Sequence, residues 1–145
     1  MSVKVETNSP VVEAFFTEAA QKQPEILRAW QEEGSRLTME TMRGFAPVRS
    51  GFLHESITRS FSPDGFIVYP TAHYAAHVEY GTKPHMIFPS KAKILRWENE
   101  WCATIFAKHV KHPGFAGRFF VAKTLETVKI ELKRLYEEIV ERVLG

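Results

Sequence analysis

Six histidines are the side chains of this sequence best suited to metal or proton-transfer chemistry. His73 and His77 stand four apart, which on a helix puts both imidazoles on one face. Zinc proteases use that spacing, with Glu directly after the first His as general base. Tyr74 holds that position here, and no Asp or Glu stands near His109 or His112 in sequence. Partly buried or interfacial rings account for these histidines more simply than a metal-dependent hydrolase does. Ser50-Gly51 and Ser60 lack the Gly-x-Ser-x-Gly elbow of a serine hydrolase. Cys102, in the apolar run Trp-Cys-Ala-Thr-Ile-Phe, reads as a small buried hydrophobe. As the single cysteine it allows neither an intrachain disulfide nor a Cys-based zinc site. Gly114, Gly117 and Arg118 precede a helix and could hold an anion, but no Lys-Ser/Thr pair of a phosphate loop follows. The residues supply no credible catalytic constellation, and the expectation is a protein without enzymatic activity, cofactor or metal.

Charge is the second chemical feature. The formal net charge is +2, but residues 83–123 hold eight Lys or Arg against Glu98 and Glu100. That stretch carries +6 and the remainder −4. A basic belt attracts phosphates or an acidic partner face. The plainer account is a solvated surface with lysines guarding strand edges. The shortage of acidic groups in the belt also leaves little for paired-carboxylate chemistry.

These residues must be positioned by a chain of 145 residues. That length predicts one domain over 1–145, able to bury a core without staples. Hydrophobic residues at 44% and charged residues at 25% are ordinary globular values. No apolar run approaches the roughly 18 residues of a membrane span. The polar start, with Glu6, does not read as a secretory signal. The expectation is a soluble protein of a reducing compartment.

Residues 1–9 are expected to be flexible and 10–44 helical. Ser9 is the expected N-cap and Pro10 the first helical residue. Val11, Phe15 and Ala19 recur at helical spacing. Pro24 predicts a kink, or a second helix starting near Gln23, and Gly34 weakens that second piece. Residues 44–55 form a loop with a short helical turn. A hairpin follows, Ser56–Phe61 against Phe66–Tyr69 around Ser62-Pro63-Asp64-Gly65. Residues 73–80 make two helical turns closed by Gly81. Met86–Phe88, Ile94–Trp97 and Cys102–Lys108 read as short strands, with turns at Pro89-Ser90 and Glu98-Asn99-Glu100. The strand-rich block therefore covers 56–108. A last helix over about 117–143 carries Val121, Leu125, Val128, Leu132, Leu135 and Ile139 as an apolar stripe. Helices at both ends of a strand block predict α+β: a mainly antiparallel sheet packed by an N-terminal helical segment and a long C-terminal helix.

Three stretches stand in order within residues 40–125: Ala46-Pro-Val-Arg-Ser-Gly-Phe-Leu-His-Glu-Ser-Ile57, Tyr74-Ala-Ala-His-Val-Glu-Tyr-Gly-Thr-Lys-Pro-His85 and His109-Val-Lys-His-Pro-Gly114. Together they resemble the head–tail joining, or tail-completion, proteins of long-tailed bacteriophages, a gene-product-ten-like family related to the minor tail protein Z group. Such proteins carry Ala-Pro-x-(Arg/Lys)-(Ser/Thr)-Gly-x-Leu-(Arg/Lys)-x-Ser-Ile, then Tyr-Ala-x-x-Val-Glu-(Tyr/Phe)-Gly-Thr-x-Pro-His, then His-Pro-Gly and an aromatic leading into the last helix. Phe120 stands close to that aromatic position. His54 departs from the usual basic residue, and Phe115-Ala-Gly-Arg-Phe-Phe is unusual after His-Pro-Gly.

The resemblance implies a non-enzymatic virion protein of a phage or prophage, placed at the head–tail interface and present in the host bacterial cytoplasm during assembly. It implies a homo-oligomeric ring, often of six subunits. Its neighbours would be a connector or head-completion protein and a tail-tube or tail-terminator protein, with non-specific DNA contact in the lumen and no membrane. Candidate contact regions are 44–55, 81–93 and 108–118, with Arg49, His54, Lys83, His85, Lys91, Lys93, Lys108, Lys111 and Arg118 facing partners. Pro47, Gly51, Glu79, Gly81, Thr82, Pro84, His112, Pro113 and Gly114 would shape the turns. Independently of the family, Gly81 suits a left-handed helix closure, Lys83-Pro84 forces an extended exit, and Gly114 can take positive φ. The competing reading is a free, sequence-independent nucleic-acid binder using the basic 83–123 segment. There Phe88, Trp97, Trp101, Phe106 and Phe115 would stack bases if exposed, while alternation into a core is the simpler expectation.

Overall fold

A computed structural model describes residues 10–98, 101 and 103–145. In chain order the elements are α1 (Pro10–Phe45), α2 (Phe52–Glu55), β1 (Ile57–Ser62), β2 (Gly65–Pro70), α3 (Ala75–Tyr80), β3 (Gly81–Thr82), β4 (His85–Ile87), β5 (Leu95–Glu98), β6 (Thr104–Ala107), β7 (Val110–His112), β8 (Phe115–Ala116) and α4 (Phe120–Leu144). The fold is α+β, with short antiparallel sheets and two long helices that pack together. The chain forms two compact units: one built from the segment ending at Ala72 together with Phe120–Gly145, the other from His73–Phe119.

The first unit is a helix pair with a hairpin on α1. α1 runs unbroken through Pro24, so two abutting helices are not formed. Gln23, Pro24 and Glu25 are all exposed. Water can therefore take the Ala20 carbonyl that loses its partner, and the cost of proline is reduced there. Pro10 begins the helix as expected, whereas Ser9 and Cys102 lie outside the described residues. The helix ends one residue beyond Gly44, with the Ala46 N–H donating to the Met42 carbonyl at 3.0 Å.

α1 and α4 pack antiparallel, since Lys22 Nζ donates to the Val143 carbonyl (2.8 Å) while Gly34 lies against Leu132. Ile26 and Met42 on α1, Ala46 just after it, and Phe120, Val128 and Ile139 on α4 are buried apolar residues. Ser35, Thr38 and Thr124 are buried too, and each is satisfied locally. Thr38 Oγ1 donates to the Gly34 carbonyl, Thr124 Oγ1 to the Phe120 carbonyl and Ser35 Oγ to the Glu32 carbonyl. Ser35 Oγ also accepts from Arg59 Nη1 of β1 at 2.9 Å.

Gly34 has a packing role that its helix propensity hides. A Cβ there would stand 3.0 Å from Leu132 Cδ2 and 3.0 Å from Phe66 Cε1. The missing side chain lets α4 and β2 close onto α1 at one point. The apolar stripe of α4 is also displaced from expectation. Val128, Leu132, Leu135 and Ile139 face inward to differing degrees, but Leu125 is 63% exposed. Phe120 and Thr124 occupy the buried line at the start of the helix instead.

The β1–β2 hairpin pairs Ile57 with Pro70 through Ser62 with Gly65. Neither Pro63 nor Asp64 takes a positive φ, which suits proline at the second position of a type I turn. α2 is the expected short turn, entered through Gly51 at φ 83°.

The strands of the second unit do not form one sheet. They make three separate two-stranded ladders, β3–β8, β4–β7 and β5–β6. The strand-rich region therefore extends to Ala116 rather than stopping at 108. β7 and β8 fall where the sequence reads as a loop, because strands of two and three residues are too short to show alternation. β5 and β6 shift by one or two residues from their expected bounds, and part of the Glu98-Asn99-Glu100 turn lies outside the described residues.

Candidate assembly surface

Two of the three stretches that carry the family resemblance lie side by side. The Tyr74–His85 stretch supplies α3, β3 and the start of β4, and the His109–Gly114 stretch supplies β7 and the turn before β8. They run antiparallel. Gly81 is opposite Ala116, Thr82 opposite Phe115, His85 opposite His112, Met86 opposite Lys111 and Ile87 opposite Val110. The end of α3 is tied to the same strand partner. Arg118 N–H donates to the Val78 carbonyl (2.8 Å) and Phe119 N–H to the Glu79 carbonyl (3.1 Å). These bonds satisfy carbonyls that a helix C-terminus otherwise leaves without partners.

Glycines allow the backbones to come this close. A Cβ on Gly81 would run into the Phe115 carbonyl and the Gly117 nitrogen, and one on Gly114 would run into the Thr82 carbonyl. A Cβ on Gly117 would strike the Glu79 carbonyl. Gly81 does take positive φ, as expected, but its ψ of −176° places it outside the left-handed helical region. That combination is open to glycine almost alone. Gly114 has φ 77° between β7 and β8. The turn chemistry of both motifs thus serves one crossing. Phe119, just after it, holds φ 53°, an uncommon value for a bulky residue.

His85 and His112 stack across the ladder, with ring centroids 5.0 Å apart and 29° between planes. His85 Nδ1 lies 2.9 Å from the Lys83 carbonyl, so that nitrogen carries the proton. His112 Nδ1 accepts the Gly114 N–H at 3.0 Å, so that nitrogen does not. Glu79 is buried at 6% exposure, inside the unit rather than on a partner-facing surface. A depression of about 500 Å³ is lined by His77, Gly81, Thr82, Lys83 and His85. It places Lys83 and His85 on one concave, basic surface.

The remaining residues assigned to partner contact are mostly accessible. Arg49, Lys91, Lys93, Lys108, Lys111 and Arg118 are exposed, and His54 is half-buried in α2. Lys83 and His85 line the one depression, whereas Lys111 is opposite Met86 and so lies on the other face of the ladder from His85. Arg49 and His54 belong to the first unit and the others to the second. His73 precedes α3, in contact with the Tyr74 ring, so His73 and His77 do not share a helix face. Among the described residues no three His, Cys, Asp or Glu side chains converge to hold a metal ion. Also among them, no helix is long and apolar enough to cross a membrane.

One expectation is overturned. Phe88, Trp97, Trp101, Phe106 and Phe115 do not alternate into a core, for all five are exposed, Trp101 at 86%. Phe88 and Trp101 lie outside the ladders, and Trp97, Phe106 and Phe115 belong to two-stranded ladders too small to bury both faces. Exposed aromatics therefore stand interleaved with lysines along this segment, which sequence alternation alone could not reveal. Comparison with family models, with curated proteins and with solved structures finds no match for this chain.

Proposed function

We propose that this chain is a non-enzymatic virion structural protein that joins phage head to tail, acting by ring assembly and by docking to its neighbours. The reading rests on the resemblance, and one observation carries it further. The motif stretches ending at His85 and Gly114 meet at the His85–His112 pair, with ladder pairing continued on either side by the residues just beyond them, and their glycines stand where backbones meet. Motifs that look like separate turns are parts of one crossing, which displays Lys83 and His85 in one depression and Lys111 on the opposite face of the β4–β7 ladder. The exposed apolar residues of both units are surface of the kind that assembly buries. In a ring, protomers meet head to tail through two different patches. The six-subunit count, the head–tail location and the connector and tail-tube neighbours come from the resemblance.

The test is the mass of the purified chain in solution, alone and mixed with the connector or tail-tube protein of the same genome. A ring, or a stable complex with either neighbour, is the expected result. A monomer that binds neither would end this reading.

The exposed aromatics also favour a second reading, sequence-independent nucleic-acid binding. Phe106 lies opposite Arg96 in the β5–β6 ladder, and Phe88 and Phe115 are exposed in the same basic segment. Such side chains stack bases. Submicromolar binding of short DNA at physiological salt, without ring formation, would establish it over the first.

A further inference from the structure

We infer that protomers associate head to tail, the tip of α1 from one copy entering a groove between α1 and α4 of the next. This deepens the ring reading and rests on it. The tip is the stretch of α1 beside which no helix lies among the described residues. Lys22 holds the end of α4 through the Val143 carbonyl, so residues 10–21 project beyond α4 by about 18 Å. Val11, Phe15 and Phe16 on this projection are 76%, 55% and 52% exposed, and the two phenyl rings meet edge to face. The result is an aromatic knob on a rigid arm.

The same unit carries a receptor of matching character. Leu27 and Trp30 of α1 and Leu132, Lys133 and Tyr136 of α4 line an apolar groove of about 300 Å³. Its walls are set by the Trp30–Tyr136 ring contact at 6.4 Å. Charge agrees in sign. The projecting stretch has no Lys or Arg and carries Glu13, with Glu18 already paired to Lys22 at 2.8 Å, while the groove edge has Lys133, with Lys129 one helical turn before it. Lys133 is 80% exposed and stands 3.9 Å from its neighbour Glu137, leaving its ammonium accessible.

The arm cannot fill its own groove. Phe15 and Trp30 lie on one unbroken helix, about 22 Å apart along its axis. An arm that fills the groove therefore belongs to another copy. A patch that fits a different patch of the same chain is heterologous and repeats from subunit to subunit. Lasting interfaces bury roughly 1,200 Å² or more, so a contact made by one short arm is concentration-dependent and gains from closure of a ring.

The experiment uses the full chain and two variants, Phe15→Asp/Phe16→Asp in the arm and Lys133→Glu/Tyr136→Asp in the groove. Sedimentation measures mass at about 100 µM, a concentration that reveals even weak contacts. The unmodified chain should exceed monomer mass, and each variant alone should lose at least about tenfold in self-affinity. Circular dichroism checks that both stay folded. Mixed together, the two variants should form a one-to-one heterodimer, because one intact arm still meets one intact groove. A mixture that stays monomeric would overturn the inference, and so would a groove variant that self-associates like the unmodified chain, which would show arm-to-arm pairing instead. So would an unmodified chain that is monomeric, or an arm variant that assembles normally. In the last case the ring reading survives and only this contact fails.

Discussion

His85 and His112 face each other as directly paired residues of β4 and β7, their rings stacked 5.0 Å apart. They lie 27 positions apart in the chain, His85 at the end of one motif-bearing segment and His112 within the other. Their stack, with the Gly114 N–H held by His112 Nδ1, makes the crossing of those segments a local structural unit.

Replacing His112 with Ala removes both the stack and that acceptor. A net hydrogen bond contributes about 1 kcal/mol, so the Gly114 amide should exchange with solvent roughly fivefold faster. Native-state hydrogen exchange reads this directly. Unchanged protection at Gly114 would mean the bond contributes nothing.

Gly117→Ala forces a methyl group against the Glu79 carbonyl, which belongs to backbone and cannot rotate away. The expected loss is about 1–3 kcal/mol. Denaturant titration of the variant should show a lower midpoint. Gly114→Ala should lose more, since it adds a strained positive φ to the collision.

Gly34→Val tests the meeting point of α1, α4 and β2. The gain in helix propensity is a few tenths of a kcal/mol, against about 1–3 kcal/mol for overpacking Leu132 and Phe66. The melting temperature should fall. A rise would show that both neighbours move aside freely.

Leu132→Asp puts a carboxylate into the seam beside Gly34. The cost should be about 3 kcal/mol or more, enough to unfold the helix pair. A melting curve unchanged from the native chain would contradict the packing of α4.

Lys108→Glu with Lys111→Glu changes exposed side chains, so stability should stay within about 0.5 kcal/mol of the parent. Under the head–tail reading, assembly or tail attachment is impaired. A folded double variant that still supports normal virion assembly would remove this loop from the interface.

Much of the first unit was legible in the chain. The periodicity of Val128, Leu132, Leu135 and Ile139 marks the inward side of α4, and Ser62-Pro63-Asp64-Gly65 marks the hairpin turn. Pro24 was misleading, because its cost depends on whether the carbonyl it leaves behind is wet. Leu125 was misleading too. A stripe read by spacing alone extends to the helix end, whereas the packing line turns onto Phe120 and Thr124. Of the assembly surface, the basic residues and glycines could be named in advance, but not their partners. β7 and β8 were invisible, and the five aromatics were expected inside.

Local physics therefore determined the two long helices, the first hairpin, the positive φ of Gly81 and Gly114 and the uneven charge. Each depends on neighbours a few residues away, through hydrogen bonds, sterics and side-chain periodicity. The tertiary structure decided that β3 and β4 pair with β8 and β7, that Gly34 and Gly117 are points of close approach, and that the aromatics remain outside. Those outcomes depend on which distant backbone comes to lie alongside and on whether a second layer exists to cover it, and nothing in the spacing of adjacent residues encodes either.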